Sequence, residues 1–174
     1  IYLGPGDYKI ALRQNVNKGN DVETTYTVRV VPMGVPDRSS EREPNNWRTD
    51  AEVLVADMPR TGLLADTGDS DFYRFSLMTE QVVRIKVVPP PDVRLDFDLS
   101  DGARRVLGRK SDLLATPIEY IALLQAGDYY VRIRAAEGTS RTPYVVSLSN
   151  GSRFWKAVDL EPNDKPQQAR LLPM

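Results

Sequence analysis

The chain has 174 residues, of which 41% are hydrophobic and 27% are charged, and its formal net charge is −1. These values are typical of an ordinary globular protein with one domain, or with one domain and flanking pieces. A net charge so close to zero provides no broad positive field for nucleic acid. No apolar run approaches the roughly 20 residues that cross a bilayer. We therefore expect neither nucleic-acid binding nor membrane insertion.

The chain contains no cysteine and no histidine. Their absence excludes Ser-His-Asp and Cys-His triads within the chain, as well as His-ligated zinc, thiolate sites and disulfides. We therefore expect the chain itself to be non-catalytic. It starts at Ile1, with neither a Met nor a signal peptide. We expect it to be an internal part of a longer protein.

Residues 1–38 are predicted to be the last strands of a preceding β-sandwich repeat, followed by a linker. Apolar and polar residues alternate in Tyr8–Arg13 and in Thr25–Val31, as they do in strands with one buried face. Pro32 and Pro36 mark the linker.

Residues 39–150 are predicted to form a complete all-β domain, an antiparallel β-sandwich of jelly-roll-like type. Six segments are predicted as strands: Phe72–Leu77, Val83–Val87, Leu95–Leu99, Ile118–Leu124, Tyr129–Ile133 and Tyr144–Leu148. Turn sequences such as Pro89–Asp92 separate them, and short strands at such spacing are typical of a sandwich. Asn46–Leu54 is predicted to form at most a turn or two of helix.

Landmarks near the two ends of the chain recur at a constant spacing. Tyr26 and Tyr144 are 118 residues apart (144 − 26), and so are Glu43 and Glu161 (161 − 43). This spacing indicates tandem repeats with a partial repeat at each end. Residues 151–174 are therefore predicted to be a linker and the start of a third repeat.

Four motifs of the central domain are similar to those of the bacterial pre-peptidase C-terminal domain, a β-sandwich found beside the catalytic domains of secreted peptidases. They are Glu-Pro-Asn-Asn at Glu43–Asn46, Gly-Asp-Ser-Asp-Phe-Tyr-Arg-Phe at Gly68–Phe75, and the later runs Leu124–Arg132 and Pro143–Leu148. The resemblance implies a non-catalytic accessory or binding module of an exported bacterial protein. It also implies a secreted, periplasmic or cell-surface location.

The resemblance extends to a possible calcium site, because the collagen-binding domains of clostridial collagenases hold calcium at their N-terminal segment. It implies a ligand set of carboxylate and amide side chains: Glu41, Glu43, Asn45, Asn46, Asp69 and Asp71, with Asp66 as a looser candidate. Asn46 stands where the family has an Asp, which removes one negative charge and should weaken binding. The start of the third repeat has a similar set: Asp159, Glu161, Asn163 and Asp164.

The residues of this set leave two interpretations open. Calcium takes six to eight hard oxygen ligands, which these side chains would supply if the two stretches meet in space. Alternatively, the stretches form caps and turns, with Asn45 or Asn46 capping a short turn and Asp69 closing an Asx-turn.

Two further groups of side chains are candidate sites. Asp96 and Asp98 project from one face of a predicted strand, as paired catalytic acids would, but a solvated strand face is the preferred interpretation. Trp47, Tyr129 and Tyr130 are candidates for stacking on sugar rings or on collagen-like peptide. Aromatic residues of a sandwich more often pack in its core or at a domain junction.

The expected partners are neighbouring repeats of the same chain and an extracellular polymer or protein. Three roles remain open at this stage. The repeats act as spacers whose junctions calcium stiffens, they bind collagen-like protein or polysaccharide, or they are a non-catalytic part of a secreted peptidase.

Overall fold

The computed structural model describes residues 3, 6–12, 25–32, 34, 37–64, 68–111, 114–138 and 140–151. Its strands all lie between residues 52 and 150: β1 (Glu52–Val53), β2 (Arg60–Gly62), β3 (Ser70–Leu77), β4 (Gln81–Val88), β5 (Arg94–Asp101), β6 (Val106–Ser111), β7 (Ile118–Leu124), β8 (Gly127–Glu137) and β9 (Tyr144–Asn150). A short 3₁₀ helix, Arg48–Asp50, precedes β1, and no α-helix occurs in the ranges given above. The predicted all-β class is confirmed.

The strands form two sheets. One has five strands in the order β1-β3-β8-β5-β6, and the other has four in the order β2-β9-β4-β7. Every strand pair is antiparallel except β1 with β3. The predicted antiparallel β-sandwich is therefore confirmed, with one parallel edge strand added.

Side chains from both sheets fill one core between them. Along β3, β5 and β8 every second side chain is buried, as the two-residue period of a strand requires. Phe97 of one sheet and Tyr120 of the other lie with their ring centroids 5.6 Å apart. This contact spans the sandwich, so the inner faces of the two sheets interdigitate.

The segments Tyr8–Arg13 and Thr25–Val31 are predicted as the last strands of a preceding repeat, and this stays a prediction. Residues 6–12 and 25–32 contain no strand and are exposed. A strand forms only where a neighbouring strand completes its backbone hydrogen bonds, and no sheet lies beside these two segments in the described ranges.

The predicted start of the third repeat falls on residues 152–174, outside the described residues. The division of the chain into repeats remains a prediction. In the part of the chain that the structure describes, no helix is long and apolar enough to span a bilayer.

Candidate metal site

The two acidic stretches of the sequence meet at the start of β3. The backbone N–H of Phe72 donates to the carbonyl oxygen of Asn45 at 3.0 Å, and that of Ser70 donates to Asn46 Oδ1 at 3.0 Å. These bonds hold residues 45–46 against the strand that carries Asp71. One carboxylate oxygen from each of Glu41, Glu43 and Asp71 lies within 4.8 Å of the others. We call these three side chains the acidic cluster.

The carboxylates of Glu41 and Asp71 are almost completely removed from solvent, with exposed fractions of 5% and 0%. The backbone N–H of Leu63 donates to Glu41 Oε1 at 2.5 Å. The hydroxyl of Tyr144 lies 2.5 Å from Asp71 Oδ2, and the hydroxyl of Tyr73 lies 3.1 Å from Glu41 Oε2. The two hydroxyls are themselves 2.7 Å apart. Each hydroxyl carries one proton, so when Tyr144 donates to Asp71, Tyr73 can donate either to Glu41 Oε2 or to the Tyr144 oxygen. The two hydroxyls and the two carboxyl groups thus form one hydrogen-bonded network.

Asn45 joins the carboxylates from the other side. Its Nδ2 donates to Glu41 Oε2 at 3.2 Å, and its backbone N–H donates to Glu43 Oε2 at 3.1 Å. Its Oδ1 is buried and has no hydrogen-bond partner among the described residues, and the same holds for Asp71 Oδ1. A buried acceptor without a partner costs on the order of 1–3 kcal/mol. Two such oxygens beside clustered carboxylates are what a cation site would explain.

Burial and mutual repulsion perturb all three carboxyl groups of the acidic cluster. Burial raises the pKa of Glu41. Burial, followed by the charges of Asp69 and Glu41, raises the pKa of Glu43 to about 7. Burial and the charge of Glu41 raise the pKa of Asp71 to about 9. No ion pair formed within the described ranges involves the cluster. These shifts reflect the burial of the carboxyl groups and their closeness to one another.

A glycine makes room for this arrangement. Gly62 of β2 pairs with Tyr144 of β9. A Cβ built on Gly62 would lie 2.3 Å from the Tyr144 hydroxyl and 2.4 Å from Glu41 Oε2. Any larger residue would displace one of them. Sequence reasoning missed Gly62, Tyr73 and Tyr144 as site residues, although both tyrosines lie within the motifs that carry the family resemblance.

The remaining predicted ligands lie around the cluster. Asp69 is 8% exposed, and its charge contributes to the raised pKa of both Glu43 and Asp71. Asn46 is half-buried, and its Oδ1 accepts the Ser70 N–H, so its side chain ties the segment to β3. The other predicted candidates lie outside the described residues: Asp66, Asp159, Glu161, Asn163 and Asp164.

The candidate aromatic residues differ in their surroundings. Tyr129 is buried, stacks on Phe75 at a centroid distance of 5.4 Å, and donates its hydroxyl to the carbonyl oxygen of Gln125 at 2.8 Å. It is a core residue, so its ring offers no face to a ligand. Tyr130 is half-buried on the opposite side of the sheet, and Trp47 is 71% exposed.

Asp96 and Asp98 project from the outer face of β5, as the preferred interpretation predicted. Asp96 pairs with Arg134, and Asp98 pairs with Arg109 and with Arg132. Both carboxylates are thus neutralised by arginines of neighbouring strands.

Comparison with known proteins supports the fold. No protein-family model matches the chain. The structure is similar to the pre-peptidase C-terminal domain of a collagenase from Bacillus anthracis, with a TM-score of 0.50 and 16% identity, over 57% of this chain and 94% of that one. It is less similar to the periplasmic lysozyme inhibitor PliG of Aeromonas hydrophila, with a TM-score of 0.34 and 17% identity over 52% of this chain and 79% of that one. The carbohydrate-binding module CBM36, solved in complex with calcium and xylotriose, gives a TM-score of 0.31 and 13% identity over 49% of this chain and 74% of that one. The first of these structures confirms that the chain has the fold of a pre-peptidase C-terminal domain, as its sequence motifs predict.

Proposed function

We propose that the chain is a non-catalytic accessory module of an exported bacterial protein, and that its acidic cluster binds one calcium ion. The observation that carries the metal proposal is the burial of Glu41 and Asp71 beside Glu43, together with Asn45 Oδ1 and Asp71 Oδ1, which have no hydrogen-bond partner among the described residues. The 118-residue spacing of Glu43 and Glu161 (161 − 43) supports treating the flanking residues as parts of neighbouring repeats.

The donor set fits calcium better than other biological cations. Every donor is a hard oxygen: the carboxylates of the acidic cluster, the amide oxygen of Asn45 and the nearby carboxylate of Asp69. Calcium accepts six to eight such ligands with flexible geometry, whereas magnesium requires a tight octahedron and retains several waters. Zinc prefers imidazole and thiolate ligands, and the chain contains no His or Cys.

A bound calcium ion would act as a structural cross-link. Glu41 and Glu43 belong to the segment that enters the sandwich, and Asp71 belongs to β3 inside it. Leu3, from the preceding part of the chain, forms a parallel bridge with Glu43. Without the cation these carboxylates repel one another or take up protons. With it, the entering segment is fixed to the sheet, and the junction is ordered.

Calorimetric titration with calcium tests the proposal. We expect about one ion to bind, with a Kd in the range of about 10⁻⁴–10⁻³ M that is usual for extracellular modules. Saturation at 100 times the Kd should stabilise the fold by about 2.7 kcal/mol. Terbium offers a local readout, because its emission is sensitised by tyrosines close to the ion, and Tyr73 and Tyr144 contact the cluster.

Two carboxyl-to-amide variants separate the site from general charge effects. Asp71→Asn should abolish calcium binding and terbium emission. Asp92→Asn, at an exposed acid outside the cluster, should leave both unchanged. The proposal fails if the wild-type chain shows no binding heat and no thermal shift with calcium, or if both variants respond as the wild type does.

Polymer binding is a second candidate role, and the exposure of Trp47 favours it. An indole that is 71% exposed is unusual for a monomeric protein and suits stacking on a sugar ring or packing against another chain. Trp47→Ala should reduce retention on collagen fibres or on insoluble polysaccharide. Met78→Ala, at a residue that is 89% exposed, serves as the control. Equal retention of the two variants would exclude Trp47 as a contact.

A further inference from the structure

A second polar site lies on the outer face of the five-stranded sheet. It is a cleft of 390 Å³ beside the 3₁₀ helix, and its lining includes Arg48, Thr49, Arg74, Gly102, Arg104 and Tyr130. Arg74 of β3 and Tyr130 of β8 are directly opposite each other, at positions that alternate with buried residues. Three arginines line this cleft, and none of its lining residues in the described ranges is acidic.

The arginines of the cleft differ from their neighbours in charge pairing. Five other arginines of the same sheet, including its β5–β6 turn, are each ion-paired with an Asp or Glu: Arg94, Arg105, Arg109, Arg132 and Arg134. The side chains of Arg74 and Arg104 make neither an ion pair nor a hydrogen bond within the described part of the chain. Two acids beside Gly102 of the lining are already engaged, since Asp101 binds Arg105 and Asp128 accepts from Ser76. Among the described arginines on this face, those of the cleft therefore lack an acidic partner.

Arg48 is held in place by neutral groups. Its guanidinium carbon lies 3.7 Å from the centroid of the Tyr130 ring. The same guanidinium donates to Ser100 Oγ at 3.4 Å and to the carbonyl oxygen of Asp101. A guanidinium has five N–H donors, so these contacts orient it, leave donors free and do not cancel its charge.

Arg104 occupies a backbone conformation that arginine rarely adopts. Its φ is 67°, in the left-handed region, within a turn in which its N–H donates to the carbonyl oxygen of Asp101 at 3.0 Å. Glycine would adopt this conformation without strain, and residues held in it concentrate at functional sites. A strained, unpaired arginine at the rim of a cleft is difficult to explain by stability.

We propose that this cleft binds an oxyanion, a carboxylate, sulfate or phosphate group, between Arg48, Arg74 and Arg104. Arginine forks match the planar oxygen pairs of such groups, and arginine is the common residue for their recognition. The cleft falls within the size range of small-ligand sites. The oxyanion is either a free ion or a substituent of a sugar unit in a longer chain.

The test is a calorimetric titration of the whole chain at constant ionic strength. Sulfate, phosphate and citrate are compared with chloride, and a sulfated heparin tetrasaccharide is compared with its desulfated form. Saturable binding of sulfate or citrate shows that the cleft binds a free oxyanion without an attached sugar. Binding of only the sulfated tetrasaccharide identifies the sugar-borne group. Both results support the site, provided that the variants below respond as stated.

Arg74→Gln and Arg104→Gln should each weaken binding by about tenfold, as expected for loss of a charged hydrogen bond. Arg94→Gln removes an arginine of the same sheet that is already paired with Glu137, and it should leave the affinity unchanged. Tyr130→Leu removes the ring that positions Arg48 and should weaken binding without changing Arg74 or Arg104.

Arg104→Gly distinguishes a binding role from a structural one. Because glycine fits a φ of 67°, this variant should keep or raise the melting temperature while it weakens anion binding. The proposal is overturned if no probe binds more tightly than chloride. It is also overturned if Arg74→Gln and Arg104→Gln bind as tightly as Arg94→Gln does.

Discussion

Replacing Asp71 by Asn should stabilise the metal-free protein, which is the opposite of what a polar substitution at a completely buried position usually does. Asp71 lies among like charges, and its pKa rises from 3.8 to about 9, first because of burial and second because of the charge of Glu41. Asparagine has almost the same shape and carries no charge. Its Oδ1 would still accept the hydroxyl proton of Tyr144.

The magnitude follows from the proton that the folded state must hold. In the unfolded chain Asp71 ionises near 3.8, whereas in the folded chain it stays protonated until about 9. Its contribution to stability is therefore complete below pH 3.8 and is lost as the pH rises towards 9. The unfolded-state pKa of 3.8 lies about 3.2 units below pH 7. At 1.36 kcal/mol per unit, keeping Asp71 protonated in the folded state at pH 7 therefore costs about 4 kcal/mol of stability. Because Asp71 shares its protons with Glu41, we expect Asp71→Asn to gain about 2–4 kcal/mol at pH 7.

Urea denaturation at pH 7, with EDTA and with saturating calcium, measures this effect. In EDTA the variant should be more stable than the wild type. In calcium the wild type should gain stability and the variant should not, so the difference between the two proteins shrinks or reverses. A variant that is less stable than the wild type in EDTA would refute the reasoning, and so would one that gains as much from calcium as the wild type. Asp92→Asn should behave as the wild type under both conditions.

Two more outcomes are expected at the same site. Without calcium, the contribution of Glu43 to stability should be complete below pH 4.5 and fall as the pH approaches about 7, because its pKa is raised in the fold; a flat profile of denaturation midpoints would contradict this. Gly62→Ala should cost about 1–3 kcal/mol and weaken calcium binding, because the new Cβ overlaps Glu41 and Tyr144. Calorimetry that finds wild-type affinity in this variant would show that the close approach is dispensable.

The six long strands of the sandwich could be predicted from sequence because each one buries alternate residues in a continuous core. The strand β6 could not, since Leu107 is its one buried residue and its last three residues are exposed. The strands β1 and β2 are only two and three residues long, too short to show a period. The same alternating pattern occurs at Tyr8–Arg13 and Thr25–Val31, where the described residues form no strand. A pattern shows which face of a strand would be buried but not whether a sheet is present to bury it.

The candidate site, like the fold, could be predicted from the sequence only in part. Glu41 and Asp71 are thirty residues apart (71 − 41), and composition alone does not bring them together. The family motifs predicted that these stretches belong to one site, and the contact between Phe72 and Asn45 shows how they meet. Tyr73 and Tyr144 were not predicted as site residues, because a sequence does not show whether the hydroxyl of a buried tyrosine donates to a carboxylate. The arginine cleft was missed because its three arginines come from three separate segments.

The strand β3 serves both sites, one from each face. Asp71 and Tyr73 point into the sandwich, whereas Arg74 points outward, and all three are fixed by the pairing of β3 with β8. A slip of one residue in that pairing would exchange the two faces. It would bury the guanidinium of Arg74 and expose the carboxylate of Asp71, so neither site would survive. By this reasoning a chain folded in the wrong register would have neither of the two proposed sites, and each proposed ligand would favour the correctly aligned sheet without contacting the paired backbones of β3 and β8.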